Sequence, residues 1–248
     1  MKNGYPIAQF KKLKDEVTRF MMMYQFALQE LETKVEILKE EFHLLHDYNP
    51  IEHTKSRVKS IESIINKMQR KAVPFSLTSI KEHLYDIAGM RITCSFISDI
   101  YRVCDMLSKQ SDLKVIEIKD YIKDPKPNGY RSLHMIVEIP VFMSNGVEYV
   151  RVEVQVRTIA MDFWASLEHK IFYKYNKDVP DELLSELKEA AENANKLDKQ
   201  MERLNRDIAA IKEQQEDNEE EELARLLLSN EQFLLPASLI DVGEFKEQ

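Results

Sequence analysis

Two carboxylates, a basic stretch and a proline-stiffened loop carry the chemistry legible in this chain. Over 147–157, Val150, Val152, Val154 and Val156 fall on one side of a predicted strand and Arg151, Glu153, Gln155 and Arg157 on the other. One side reads as core. The other is a ladder of acid, base and amide, which fits a solvated face or a site that handles charge. Asp86 stands just before Ile87-Ala88-Gly89-Met90-Arg91, at the start of another predicted strand, where a helix cap, a salt bridge and a metal ligand are all open. In 120–134, Pro125, Pro127 and the turn Asn128-Gly129 fix a loop bearing Lys123, Lys126, Arg131 and His134. Tyr130 lies among these cations, able to stack on a base while they hold phosphates. Ser63, Lys67 and Arg70, spaced by four and three, share a helical surface near Arg57 and Lys59, either a solvated basic face or a phosphate cradle. No Walker loop and no G-x-G-x-x-G is present. These residues point to a phosphorylated ligand, a nucleotide among the candidates, and no further.

The elements that must position them follow from periodicity. Apolar residues at 10, 13, 17, 20, 24, 27, 31, 35, 38, 42 and 45 draw a stripe down a long helix stopped by Asp47-Tyr48-Asn49-Pro50. It is roughly 50 Å long, more than a small core covers. The pattern then predicts a helix over 50–70 that carries Arg57 through Arg70. Strands are predicted over 91–96, 114–119, 133–139 and 147–156, with a helix over 101–110 and a hairpin at Asn145-Gly146. A helix over 164–175 precedes a second long stripe at 184, 187, 191, 194, 197, 201, 204, 208 and 211. The fold expected is α/β (α+β), a mixed sheet flanked by helices, with long N- and C-terminal helices. The expected divisions are an N-terminal helix over 1–48, a catalytic domain over 50–180, a C-terminal helix over 181–213, and an acidic, partly apolar tail over 214–248. The acidic stretch beyond Lys212 reads as an exposed linker or frayed helix, and 233–235 as part of a late apolar patch. The length of both stripes suggests that part of each meets another subunit.

Composition narrows the classes. With 248 residues, 44% hydrophobic content and only five glycines, neither a disordered nor a fibrous chain fits. The net charge of −8 argues against a nonspecific nucleic-acid coat, yet residues 51–71 hold six basic side chains against two acids. Cys94 and Cys104 read as core thiols, and the Met21-Met22-Met23 cluster as adaptable packing. No secretory leader and no membrane span is expected, so a cytoplasmic location is the default.

Taken together and in order, Arg57-Val58-Lys59 with Ser63 and Lys67, Asp86 through Arg91, the loop 126–134, Glu153-Val154-Gln155-Val156-Arg157-Thr158, and Trp164 through Glu168-His169 closely resemble the synthetase domain of bacterial alarmone synthetases. The compact length is similar to that of the small members of this family. The resemblance implies a nucleotidyltransferase-like sheet and transfer of pyrophosphate from ATP to GDP or GTP, making ppGpp or pppGpp for the stringent response. It implies that Arg57 and Arg91 embrace adenine, while Lys59, Ser63, Lys67 and Arg70 hold the ATP phosphates with help from Gln155. Tyr130 then stacks on guanine, and Lys126 and His134 meet the acceptor phosphates. Asp162 stands where the small enzymes often carry Asn to read the guanine edge. Mg²⁺ is the implied cofactor, held by Asp86 and Glu153, with Glu153 the better base candidate. A homotetramer and synthesis without a hydrolase domain are also implied. The other function class these residues allow is a single-stranded RNA-binding module using Tyr130 and the basic loop.

Overall fold

β-branched alternation builds a five-stranded mixed sheet in which the first, second, fifth, fourth and third strands of the chain lie side by side in that order, and helices carry its covered face. The computed structural model describes residues 7–46, 48–173 and 179–229. In chain order the elements are α1 (Ile7–Leu45), β1 (Ile51–Val58), α2 (Ile61–Arg70), α3 (Leu77–His83), β2 (Ala88–Cys94), α4 (Ile97–Ser108), β3 (Lys114–Asp120), β4 (Leu133–Met143), β5 (Gly146–Thr158), α5 (Ile159–Tyr173) and α6 (Asp181–Ser229). β2 and β5 pair in parallel at the centre, and every other neighbouring pair is antiparallel. The expected α/β architecture is the one observed.

Val150, Val152, Val154 and Val156 of β5 are buried together with Met135, Val137 and Ile139 of β4 and Met90 and Ile92 of β2. α1 adds Phe20, Tyr24, Ala27, Leu28, Leu31 and Val35 to the same core. Its middle thus follows the apolar stripe, while Phe10, Leu13 and Leu45 at its ends are exposed. Cys94 and Cys104 are buried, unbonded thiols. β4 and β5 meet through a two-residue turn before Gly146, whose φ of +136° suits glycine. Pro140 lies on β4 beyond the reach of β3, where its missing donor costs the ladder nothing.

One predicted helix is corrected. Residues 51–58 form β1, and only Ile61–Arg70 is helical, so Arg57 sits on a strand. β1 is an edge strand whose exposed positions are polar, so its few apolar residues imitate a sparse helical stripe. Its hydrogen bonds to β2 come from sequence some 35 positions away, which a local pattern cannot register. Ser60 ends the ambiguity, because its side chain accepts from the Ser63 amide and caps α2.

The chain divides into two units, Met1–Gln200 and Met201–Gln248. Within the first, the start of α6 buries Ala191 beside Trp164 and Ala165, with Leu187 and Ala194 partly buried there, while Leu184 and Leu197 remain exposed. In the second, Met201, Leu204, Ile208 and Ile211 are exposed and the backbone is helical through Ser229. The stretch after Lys212 therefore continues the helix instead of forming a linker, and the apolar residues 233–235 lie outside the described residues. No helix among the described residues is long and apolar enough to cross a membrane.

Candidate active site

Strand register assembles the polar face. β2 and β5 pair Gly89 with Glu153 and Arg91 with Gln155, and β4 sets His134 opposite Gln155. On the other side of β2, β1 sets Arg57 opposite Gly89 and Lys55 opposite Arg91. These residues share one sheet face because paired positions point the same way. A cavity of about 330 Å³ opens on it, lined by Lys55, Arg57, Lys59, Asp86, Arg91, Glu153 and Gln155 among others.

At one wall, Lys59 Nζ donates to Asp86 Oδ2 at 2.8 Å and to the Asp86 carbonyl at 2.6 Å, and Lys67 bonds the same carboxylate oxygen. Burial pushes the Asp86 pKa up, but hydrogen bonds and charge from Lys59 and Lys67 outweigh it, and the carboxyl titrates below its ordinary value. Asp86 Oδ1 is buried with no hydrogen-bond partner among the described residues. Ser63 is occupied with Ser60, and Arg70 lies exposed in the last turn of α2. Neither lines the cavity.

Glu153 closes the other wall and belongs to a ring of five side chains. Its Oε1 lies 3.3 Å from His134 Nδ1, and His134 Nε2 is 2.7 Å from the Tyr130 hydroxyl. Arg157 Nη2 donates to that hydroxyl at 2.6 Å and to Gln155 Oε1 at 2.8 Å. Gln155 Nε2 returns to Glu153 Oε2 at 2.8 Å and completes the ring. Burial raises the Glu153 pKa, yet the His134 bond and charge, with Gln155, bring it below the ordinary value. Burial dominates at Tyr130 and raises its pKa. Lys126 Nζ lies 4.6 Å from the Tyr130 ring centroid, and Arg157 lies 5.1 Å from it. Asp162 Oδ1 accepts from Arg157 Nη1 at 3.1 Å and forms an ion pair with Arg91 Nη1 at 2.9 Å.

The loop that carries Tyr130 is pinned from two sides. The Gly129 amide donates to the Lys126 carbonyl at 2.8 Å across Pro127-Asn128. Gly129 has φ +87°, and a Cβ there would come within 2.6 Å of Ala191 Cβ on α6. Arg131 reaches Glu192 at 3.0 Å, Trp164 donates to the Leu187 carbonyl at 3.0 Å, and Thr158 donates to buried Asp198 at 2.7 Å.

Of the residues singled out from sequence, Arg57, Lys59, Asp86, Arg91, Glu153 and Gln155 meet at the cavity, with Lys67 attached through Asp86. Lys126, Tyr130, His134 and Asp162 form the adjoining cluster. Arg157 is legible as a rung of the polar ladder and as part of the motif Glu153 through Thr158, neither of which assigns it a role. Ala191 is a member of the second apolar stripe, but no local signal pairs it with Gly129; Glu192 and Asp198 have none either, because they bond Arg131 and Thr158, 61 and 40 residues earlier.

The pair of carboxylates suits a hard cation: Asp86 offers an orphaned buried oxygen, and Asp86 and Glu153 line one cavity. No group of three or more His, Cys, Asp or Glu gathers among the described residues. A cation here would therefore complete its shell from ligand oxygens and water. A cation-rich cavity next to a stacking ring, with an ionised carboxylate at their junction, can align a phosphate chain with a second, ring-bearing substrate.

Comparison with known proteins bears on the family and the fold. The family described as "Region found in RelA / SpoT proteins" matches residues 56–178. GTP pyrophosphokinase YwaC of Bacillus subtilis (strain 168) is 60% identical over 181 residues, which are 73% of this chain and 86% of that protein. The crystal structure of small alarmone synthetase 2 from Bacillus subtilis superimposes with a TM-score of 0.71 at 55% identity, over 77% of this chain and 99% of that one. Small alarmone synthetase 1 from the same organism, bound to its product pppGpp, gives 0.73 at 38% identity over 78% and 98%.

Proposed function

The chain belongs to the RelA/SpoT-like small alarmone synthetases, and on that premise we propose that it transfers the β,γ-pyrophosphate of ATP to the ribose 3′-hydroxyl of GDP or GTP. The acceptor oxygen attacks the β-phosphorus. As the new O–P bond forms, the bond from that phosphorus to the oxygen bridging the α-phosphate breaks, and AMP leaves with that oxygen. The products are AMP and ppGpp or pppGpp.

The observation that carries this reading is the position of Glu153, which lines the cation-rich cavity and also bonds His134 of the aromatic cluster. In this reading the cavity takes ATP. Arg57 and Arg91 are diagonal neighbours across β1 and β2, about 7 Å apart, a gap that one planar base fills. Lys59 and Lys67 meet the phosphates, with Ser63 and Arg70 further along α2 and Gln155 opposite. Tyr130 stacks on guanine, Asp162 accepts from the guanine edge, and Lys126 and His134 hold the acceptor phosphates. Asp86 and Glu153 would hold Mg²⁺, which when bound would offset charge on the phosphates. Glu153, ionised at neutral pH, accepts a hydrogen bond from the 3′-hydroxyl. As a weak base it takes the proton only when the forming O–P bond has made that hydroxyl acidic.

Exposed apolar residues on α1 (Ile7, Phe10, Leu13) and on α6 (Leu184, Leu197) support assembly through the long helices, a homotetramer in this proposal. The deciding experiment is incubation of the purified chain with ATP, GDP or GTP, and Mg²⁺, with product identification and a light-scattering mass on the same preparation. A 3′-pyrophosphorylated guanine nucleotide formed together with AMP supports the reading. Release of pyrophosphate, or RNA binding without turnover, overturns it.

A further inference from the structure

Asp162 holds two arginines from opposite halves of the site through one oxygen. Arg91 lines the donor cavity, and Arg157 fixes the Tyr130 hydroxyl and the Gln155 amide. The same carboxylate is assigned above to the guanine edge. We infer that Asp162 is a latch shared by the two substrates: acceptor guanine draws it away from Arg91, freeing that guanidinium for adenine, so that the acceptor nucleotide raises the affinity for ATP. This inference rests on the nucleotide assignments proposed above.

The two ion pairs are unequal, which decides which one yields. The Arg157 side chain is only 5% exposed and is held by Asp162, Gln155 and Tyr130 together. The Arg91 side chain is 33% exposed; the Nε of both arginines is buried without a hydrogen-bond partner among the described residues, so exposure and the number of partners set the two apart. A small shift of Asp162 toward an incoming ring therefore keeps Arg157 and lengthens the contact to Arg91.

Charge gives the direction of the coupling. Burial and then the nearby Arg157 charge disfavour the cationic form of Arg91, Asp162 favours it, and Arg57 adds further repulsion. With Asp162 partly withdrawn, Arg91 faces two like charges with less compensation. The polyphosphate and the π face of adenine then become its best partners. Coupling of this kind is reciprocal, so ATP tightens acceptor binding by the same factor.

The test is calorimetric titration with a non-hydrolysable ATP analogue, with and without saturating GDP. For the unaltered protein, GDP should tighten the analogue by about fivefold or more, within the usual range for coupled sites. Asp162→Asn, nearly isosteric, should bind the analogue more tightly than the unaltered protein when GDP is absent, and GDP should then change that affinity by less than about twofold. Misfolding or simple loss of GDP binding produces no such gain. Asp162→Ala should show the same gain, guarding against a residual hydrogen bond from Asn. No GDP effect on the unaltered protein, or no gain in either variant, overturns the latch. Product formation measured on the same preparation separates this from failure of the synthetase reading: product and AMP without coupling defeat the latch alone.

Discussion

The two halves of the site solve the problem of crowded cations differently. On the side proposed to take ATP as donor, Lys55, Arg57, Lys59 and Arg91 line an open cavity, and Lys59 and Lys67 converge on the single carboxylate of Asp86. On the side proposed to take the acceptor nucleotide, Arg157 is buried and its Nη atoms are held by Asp162 and by Gln155 and Tyr130 of the closed ring. The donor half is thus organised by charge and leaves volume for a ligand. The acceptor half is organised by packing and hydrogen-bond direction, and α6 supports it from behind. Changes of charge should act most on the first, and changes of shape most on the second.

Glu153 belongs to both halves, so its loss should break the comparison outright. Glu153→Gln keeps the shape but removes the charge proposed to face the cation and the 3′-hydroxyl, and turnover should fall by roughly two to four orders of magnitude. Product formation on protein of unchanged secondary structure and oligomer mass reads the effect, and near-normal formation would remove Glu153 from the mechanism.

A pure shape change should damage the acceptor half selectively. Gly129→Val adds a Cβ where Ala191 lies 2.6 Å away and the φ of +87° disfavours any side chain. Displacing the loop should lower kcat/KM for the guanine nucleotide by about a hundredfold, while affinity for a non-hydrolysable ATP analogue stays within a fewfold. Equal loss on both substrates would mean that the halves are not separable.

Tyr130 separates ring from hydroxyl. Stacking on a base is worth roughly 1–3 kcal/mol, so Tyr130→Ala should raise the KM for GDP by about tenfold or more. Tyr130→Phe keeps the ring but leaves Arg157 and His134 without their shared hydroxyl, and it should fall between Ala and the unaltered protein. Steady-state kinetics with each nucleotide varied distinguishes the two. Equal damage from Phe and Ala would make the hydroxyl the essential group.

The smallest effect is electrostatic and concerns stability. Asp86 titrates in the folded chain below its ordinary 3.8, and Glu153 below its ordinary 4.5. The stability they contribute is complete above those ordinary values and is lost as the pH falls through them toward the folded values. Lys67→Met removes one of the two lysines on Asp86 and raises its folded pKa toward the unfolded one. Tm followed from about pH 6 to about pH 3 should therefore decline less steeply in the variant than in the unaltered protein. An unchanged slope would show that Lys67 adds nothing to the Asp86 corner beyond what Lys59 supplies.

Much of this site is legible before folding. The valine alternation of 150–156 places Glu153 and Gln155 opposite the core because strand side chains alternate whatever the sheet around them. The prolines and Asn128-Gly129 announce a fixed turn for the same local reason. The stripe of α1 likewise identifies the residues that cover the sheet, though not that its two ends stay exposed. Residues 51–58 look helical by local pattern but form a strand, because an edge strand takes its hydrogen bonds from a distant partner and needs few apolar residues of its own.

What the sequence determined by itself is therefore the periodic and the local: which face of a strand is polar, where a turn must fall, and which residue types could handle phosphate. The tertiary structure alone decided which of these groups meet. β1 had to pair with β2 before Arg57 could lie beside Arg91, and α6 had to pack on Gly129 before Tyr130 was fixed. The ring through Arg157 closed only when β4, β5 and the 126–131 turn were in register. Hydrogen bonds and ion pairs depend on distance in space, and separation along the chain carries almost no information about it.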